Sequence, residues 1–125
     1  MVLGIGVDII EIARIKQSIE RTGDRFLKRV FTEKEIEYCV SKGNKYQHFA
    51  ARFAAKEAIS KALSIGWNNQ FDWKNVEVLN EKTGEPKVHL NGLLKDFLPA
   101  QTNLKITMSH SDEYAVCFAI LEQIG

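Results

Sequence analysis

The chain has 125 residues, 45% of them hydrophobic, and a formal net charge of +1 at pH 7. That length and composition fit one domain over residues 1–125 with a sizeable core, and so even a charge argues against a nucleic-acid binder held by overall positive charge. No run of about 18 apolar residues is present to cross a membrane, and the apolar start lacks a basic leader and is broken by Asp8, so neither an anchor nor a signal peptide is expected and the location expected is cytoplasmic.

The first element reads as a strand. Leu3, Ile5, Val7 and Ile9 alternate with Gly4, Gly6 and Asp8, giving one apolar face and one face of small residues that leads to a carboxylate. The glycines are expected to leave room beside Asp8 for a substrate or a neighbouring chain. Ile12, Ile15 and Ile19 then follow helical spacing up to Gly23, which ends the helix. Between Ala13 and Val30 stand six basic residues (Arg14, Lys16, Arg21, Arg25, Lys28, Arg29) and two acidic ones, a local charge of +4 offset by −3 elsewhere. A basic patch on a nearly neutral protein points to an acidic partner or a phosphate; a solvated helix face accounts for it equally well.

Thr32-Glu33-Lys34-Glu35 has capping-box spacing and starts a short helix. The longest helix is predicted from about Tyr46 to Leu63. On it Ala51, Ala55, Ala58 and Ala62 form a stripe of small side chains against which another element packs tightly. Phe53, Glu57 and Lys61 run along the border of that stripe at intervals of four. An exposed Glu–Lys pair at this spacing contributes only about 0.2–0.5 kcal/mol and needs no function. Beside an apolar face, Glu57 and Asp8 each sit where an unpaired carboxylate is costly. Two carboxylates on separate elements, with Lys61 one turn further on, suggest a Mg²⁺ and phosphate site, because Mg²⁺ takes one or two protein carboxylates and keeps waters and substrate phosphates.

Beyond the helix, Val76–Leu79 and Val88–Leu90 flank the turn Thr83-Gly84-Glu85-Pro86 and read as a hairpin. A short helix is predicted around Leu93–Leu98, stopped by Pro99. Strands Leu104–His110 and Tyr114–Leu121 follow, joined by Ser111-Asp112-Glu113. This order gives an α+β fold, a mainly antiparallel sheet packed on one long helix plus shorter ones. Cys39 and Cys117 lack metal-ligand spacing and are expected as reduced core thiols. Ser109 and His110 are sequence neighbours without a G-x-S-x-G elbow, so they make no hydrolase triad. His48 and His89 have no supporting motif.

Four segments together, G-I-G-V-D-I-I-E-I (Gly4–Ile12), F-T-E-K-E (Phe31–Glu35), R-F-A-A-K-E-A-I-S-K-A-L (Arg52–Leu63) and S-H-S-D-E-Y-A-V (Ser109–Val116), resemble the holo-[acyl-carrier-protein] synthases, the short class of phosphopantetheinyl transferases. They occur in the family's order and run nearly from one end of the sequence to the other. The resemblance implies the 4′-phosphopantetheinyl transferase-like fold. It implies Mg²⁺-dependent transfer of the 4′-phosphopantetheine arm of coenzyme A to a serine of an apo acyl carrier protein, with release of adenosine 3′,5′-bisphosphate, in support of fatty acid biosynthesis. It also implies a homotrimer with sites between subunits.

Under that resemblance Asp8 and Glu57 hold Mg²⁺, Glu57 or a metal-bound water is the general base, and Lys61 neutralises phosphate charge. Arg52, Lys61, Gly84, Pro86, Ser109 and His110 are implied coenzyme A contacts, and Arg14, Arg21 and Arg25 a docking face for acyl carrier proteins, which are typically acidic around the modified serine. Two turns depart from the family pattern: Ser64-Ile65-Gly66 replaces a Gly-Thr-Gly-like turn, and Thr83-Gly84-Glu85-Pro86 replaces Asn-Gly-x-Pro. Two other functions fit the same residues. One is a Mg²⁺-dependent nucleotide phosphohydrolase, which would release the bisphosphate from coenzyme A without an acceptor. The other is a non-catalytic oligomeric adaptor, indifferent to Mg²⁺ and to loss of Asp8.

Overall fold

A computed structural model describes residues 1–125. Strand β1 (Val2–Glu11) leads into α1 (Ile12–Thr22), α2 (Asp24–Val30), α3 (Glu33–Val40) and the long α4 (Lys45–Leu63). The hairpin β2 (Val76–Asn80) and β3 (Pro86–Leu90) follows, then β4 (Thr102–His110) and β5 (Tyr114–Gln123). All pairings are antiparallel. They form two sheets, a three-stranded one in the order β1-β5-β4 and the separate β2-β3 hairpin, where the pattern of strands predicts one.

Helix α4 lies against the larger sheet, and glycine fixes how closely. A Cβ at Gly4 would overlap the carbonyl oxygen of Ala62, and one at Gly6 that of Ala58. The stripe Ala51-Ala55-Ala58-Ala62 is buried, so small residues on both partners let helix and strand backbones approach. This corrects the expectation that the glycine face of β1 leaves space for a substrate or another chain: α4 fills it. The face left uncovered is the opposite one, where Ile5, Val7 and Ile9 are 61%, 54% and 63% exposed.

Two core clusters lie side by side on the α4 face of the sheet. Ala54, Ala58, Ile59, Val76, Val78, Cys117 and Leu121 belong to one; Ile15, Val30, Phe31, Cys39 and Phe49 belong to the other. Ile10 and Met108 pack against both. Burial pushes the thiols of Cys39 and Cys117 up to about 12, which leaves them inert at neutral pH.

Gly23 ends α1 with φ of 60°, and the chain restarts at once as α2, a helix that the isoleucine spacing of α1 does not announce. The basic stretch is thereby divided, with Arg14 and Arg21 on α1 and Arg25 on α2; all three are exposed. The helix predicted over Leu93–Leu98 is only a 3₁₀ turn, Gly92–Leu94. Gly92 enters it at φ of 59°, and the segment closes with the tighter three-residue spacing, the N–H of Lys95 donating to the Gly92 carbonyl at 3.2 Å and that of Phe97 to the Leu94 carbonyl at 3.1 Å, a pattern that rarely extends beyond three or four residues.

Candidate active site

Antiparallel pairing points Asp8 inward, on the α4 side of β1, while its neighbours Val7 and Ile9 point out. From α4, Lys61 reaches back across the strand. Its ammonium donates to the Val7 carbonyl at 2.9 Å and lies 3.4 Å from Asp8 Oδ1. Glu57, one turn earlier, is half-buried, and its pKa is raised, first by burial and then by the nearby Asp8 carboxylate. Lys61 opposes the rise. Trp67 opposes it too, although its buried indole Nε1 has no hydrogen-bond partner. Asp8, Glu57 and Lys61 thus form one group from two elements, with two negative charges and one loosely held positive charge.

This donor set fits a hard divalent cation. It offers carboxylate oxygen only, from two residues, and no cluster of three or more His, Cys, Asp or Glu side chains gathers in the chain. Mg²⁺ is commonly held in this way, its remaining ligands being waters and phosphate oxygens.

An aromatic wall stands beside the group. Phe53, in line with Glu57 on α4, stacks on Trp73 at 5.2 Å between ring centroids, and Trp73 stacks on Trp67 at 4.9 Å. The loop tryptophans have no periodic spacing to mark them in the sequence.

A second feature, a cleft of about 220 Å³, opens between α4, the β2–β3 turn and the end of β4. It gathers Arg52, Gly84, Pro86, Ser109 and His110, with His48 and Asn80. Arg52 forms its floor. It is 1% exposed, its Nε donates to the Val78 carbonyl at 3.1 Å, Nη1 to the His48 carbonyl at 3.4 Å, and Nη2 to Asn80 Oδ1. Its guanidinium also lies 4.5 Å from the centre of the Tyr38 ring. Arg52 therefore gives the cleft a fixed positive base with most of its donors already engaged. Asn80 in turn donates to the Gly84 carbonyl at 2.9 Å, which ties the turn to the cleft floor. Gly84 has φ of 90°, a conformation suited to glycine. His48 and Asn80 carry no motif, and only the fold brings them here. His89 and the exposed Arg14, Arg21 and Arg25 lie outside this cleft.

Comparison with known proteins places the chain in a family. Residues 4–119 match the model of the 4′-phosphopantetheinyl transferase superfamily. A holo-[acyl-carrier-protein] synthase of Protochlamydia amoebophila is 47% identical over 120 residues, covering 96% of this chain and 98% of the relative. Among solved structures, a holo-(acyl-carrier-protein) synthase from Bacillus anthracis in complex with CoA (3′,5′-ADP) superposes with a TM-score of 0.82 at 34% identity, covering 98% of each chain. The holo-[acyl-carrier-protein] synthase of Neisseria meningitidis gives a TM-score of 0.90 at 28% identity, covering 98% of this chain and all of that one.

Proposed function

The chain belongs to the 4′-phosphopantetheinyl transferase superfamily, and from that premise we propose that it transfers 4′-phosphopantetheine from coenzyme A to a serine of an apo acyl carrier protein, leaving adenosine 3′,5′-bisphosphate. The observation that carries this reading is the pairing on α4 of an oxygen-only carboxylate centre with a cleft that contains cationic and polar groups but no carboxylate. One would hold a cation and the other an anion, and a pyrophosphate ester accompanied by Mg²⁺ would supply both.

Transfer between phosphate oxygens depends on charge neutralisation and alignment more than on covalent help from the protein. Asp8 and Glu57 would hold Mg²⁺, which when bound neutralises the pyrophosphate and the departing bisphosphate. Lys61 exchanges its weak contact with Asp8 for the transferred or leaving phosphate. Glu57 stands as acceptor for the serine proton, directly or through a water. In the cleft, Arg52 sets positive charge beneath the nucleotide, Ser109 and His110 present hydrogen-bonding groups at its rim, and Gly84 and Pro86 shape the wall against the base. The decisive measurement is the mass of an apo carrier protein after incubation with this chain, coenzyme A and Mg²⁺. A gain of one phosphopantetheine is expected. Bisphosphate released from coenzyme A alone, with the carrier unchanged, would mark a hydrolase instead.

The reading extends to assembly and setting. Leu3, Ile5, Val7 and Ile9 of β1 and Tyr114 and Phe118 of β5 make an apolar sheet face open to solvent. Val7 pairs directly with Phe118, so the patch is continuous across the strands, as a surface shared between copies is. A homotrimer closed through this face is the expected form, and Ile5→Glu should yield monomers by light scattering. A wild type that remains monomeric and fully active would overturn it. No helix is long and apolar enough to cross a membrane, consistent with a cytoplasmic enzyme that supplies holo carrier protein for fatty acid biosynthesis.

A further inference from the structure

His48 has no part in the function described so far, yet the fold places it on the wall of the nucleotide cleft. It lies one helical turn before Arg52, and its imidazole stands edge-on to the Tyr38 ring at 5.5 Å and 83°. The groups that face it are all neutral or cationic. Arg52 faces it from α4, Lys42 from the connection after α3, and His110 from β4; Tyr38 is the neighbour from α3. Lys42 and Arg52 both sit over that same Tyr38 ring, at 4.9 and 4.5 Å. No carboxylate lines the cleft to balance them.

We propose that His48 is a phosphate-responsive base: it takes up a proton from solvent when a nucleotide phosphate enters the cleft, so that coenzyme A binding is coupled to protonation of this imidazole. The inference rests on the coenzyme A reading of the cleft. In the free protein the imidazole is held neutral, with its pKa lowered first by burial and then by Arg52, Lys42 and His110. A phosphate adds negative charge among these cations. Opposite charge within a few ångströms favours the protonated imidazole, and this opposes the burial and the repulsion that favour the neutral form. The second dissociation of a phosphate monoester lies at a pKa of about 6, and cations lower it further, so the ligand itself can only release protons on binding. Net uptake therefore identifies a base on the protein.

The test is calorimetry of adenosine 3′,5′-bisphosphate binding to the full chain at about pH 7, near where an imidazole titrates, in buffers of different ionisation enthalpy. Net proton uptake is expected with the wild-type chain. His48→Gln should bind the bisphosphate several-fold more weakly with that uptake lost, while His110→Gln retains it. Adenosine 5′-monophosphate, run in parallel, shows which phosphate draws the proton. A measurement that needs no variant is the NMR titration of the His48 ring, whose midpoint should rise by about a unit or more on saturation. Binding without uptake, uptake that survives His48→Gln, or an unmoved midpoint overturns the proposal and leaves the coenzyme A reading intact. Failure of the bisphosphate to bind at all overturns both.

Discussion

Lys56 and Glu57 are neighbours on α4, and each belongs to a cluster of opposite charges, but the clusters differ in kind. Lys56 and Glu35 are both 0% exposed and 2.8 Å apart. The Lys56 ammonium also meets the carbonyls of Val30, Trp73 and Val76 at 2.7–3.0 Å. Glu35 accepts from the backbone N–H groups of Thr32 and Val78. Burial lowers the Lys56 pKa and Glu35 opposes that. Lys61 and Asp8 are 3.4 Å apart with side chains 53% and 18% exposed, and Glu57 beside them has its pKa raised. A buried charge is tolerated when every donor and acceptor around it is matched. The first cluster meets that condition and links α2, α3, α4 and the β2 hairpin. The second is left unmatched and open, as a place that receives ligands must be.

The contrast predicts opposite results on opposite sides of one residue. Asp8→Ala and Glu57→Gln should each cut transfer at least about a thousandfold, roughly 4 kcal/mol of barrier, with little change in the urea midpoint. Modestly raised Mg²⁺ should not restore either. A Glu57→Gln protein that stays active would give Glu57 a structural role and dissolve the distinction. Glu35→Ala, in contrast, strands the Lys56 ammonium in the core and should cost about 3–5 kcal/mol of stability. What remains folded should retain turnover per molecule. A stable Glu35→Ala protein with impaired transfer would put the sealed pair in the reaction.

The open cluster is far easier to see in the sequence than the sealed one. Asp8 follows Gly4 and Gly6 on one face of an alternating strand, and Glu57 and Lys61 share one helical line, so their spacing alone puts charge beside an apolar face. Lys56 gives no comparable sign, because its partners are carbonyls of Val30, Trp73 and Val76, set by chain paths that no local pattern encodes. The capping box at Thr32 is legible and present, with Thr32 Oγ1 accepting from the Glu35 N–H at 3.2 Å. That spacing does not reveal that the same Glu35 side chain reaches Lys56 and Val78. The strands and α4 follow from hydrophobic period; α2 and the split into two sheets do not, since Gly23 ends one helix without saying whether another begins. The cleft mixes both cases: the residues at Gly84, Pro86, Ser109 and His110 stand in recognisable motifs, while His48 and Asn80 arrive only through tertiary packing.

A smaller effect is expected from the exposed charges of α1. If acyl carrier proteins dock there through acidic groups, Arg14→Glu should raise the KM for the carrier by about fivefold to tenfold and that for coenzyme A far less. Added NaCl should narrow the gap, since screening acts over about 8 Å at physiological ionic strength. Arg25→Glu should act in the same direction more weakly, because α2 restarts after Gly23 and carries it away from the Arg14–Arg21 line. Equal changes for both substrates would move Arg14 into the chemical site.

The smallest effect concerns the end of the helix that bears both clusters. Ser64 caps α4 in the left-handed conformation, with φ of 56° and ψ of 44°, three residues after Lys61 and three before Trp67. The backbone closes normally there, the N–H of Ile65 donating to the Ser60 carbonyl at 2.9 Å. A side chain in this conformation costs roughly 1–2 kcal/mol relative to glycine, which is why helices so often end on glycine. Ser64→Gly relieves that strain but also frees the unfolded chain, so a net gain of about 0.5–1 kcal/mol is expected. A gain in stability with unchanged kinetics would mean that the serine merely tolerates a position suited to glycine. A gain accompanied by a higher KM for coenzyme A would mean that the strained cap holds the Ser64–Trp67 segment in place beside Glu57, and that the open cluster depends on backbone that the sealed one does not need.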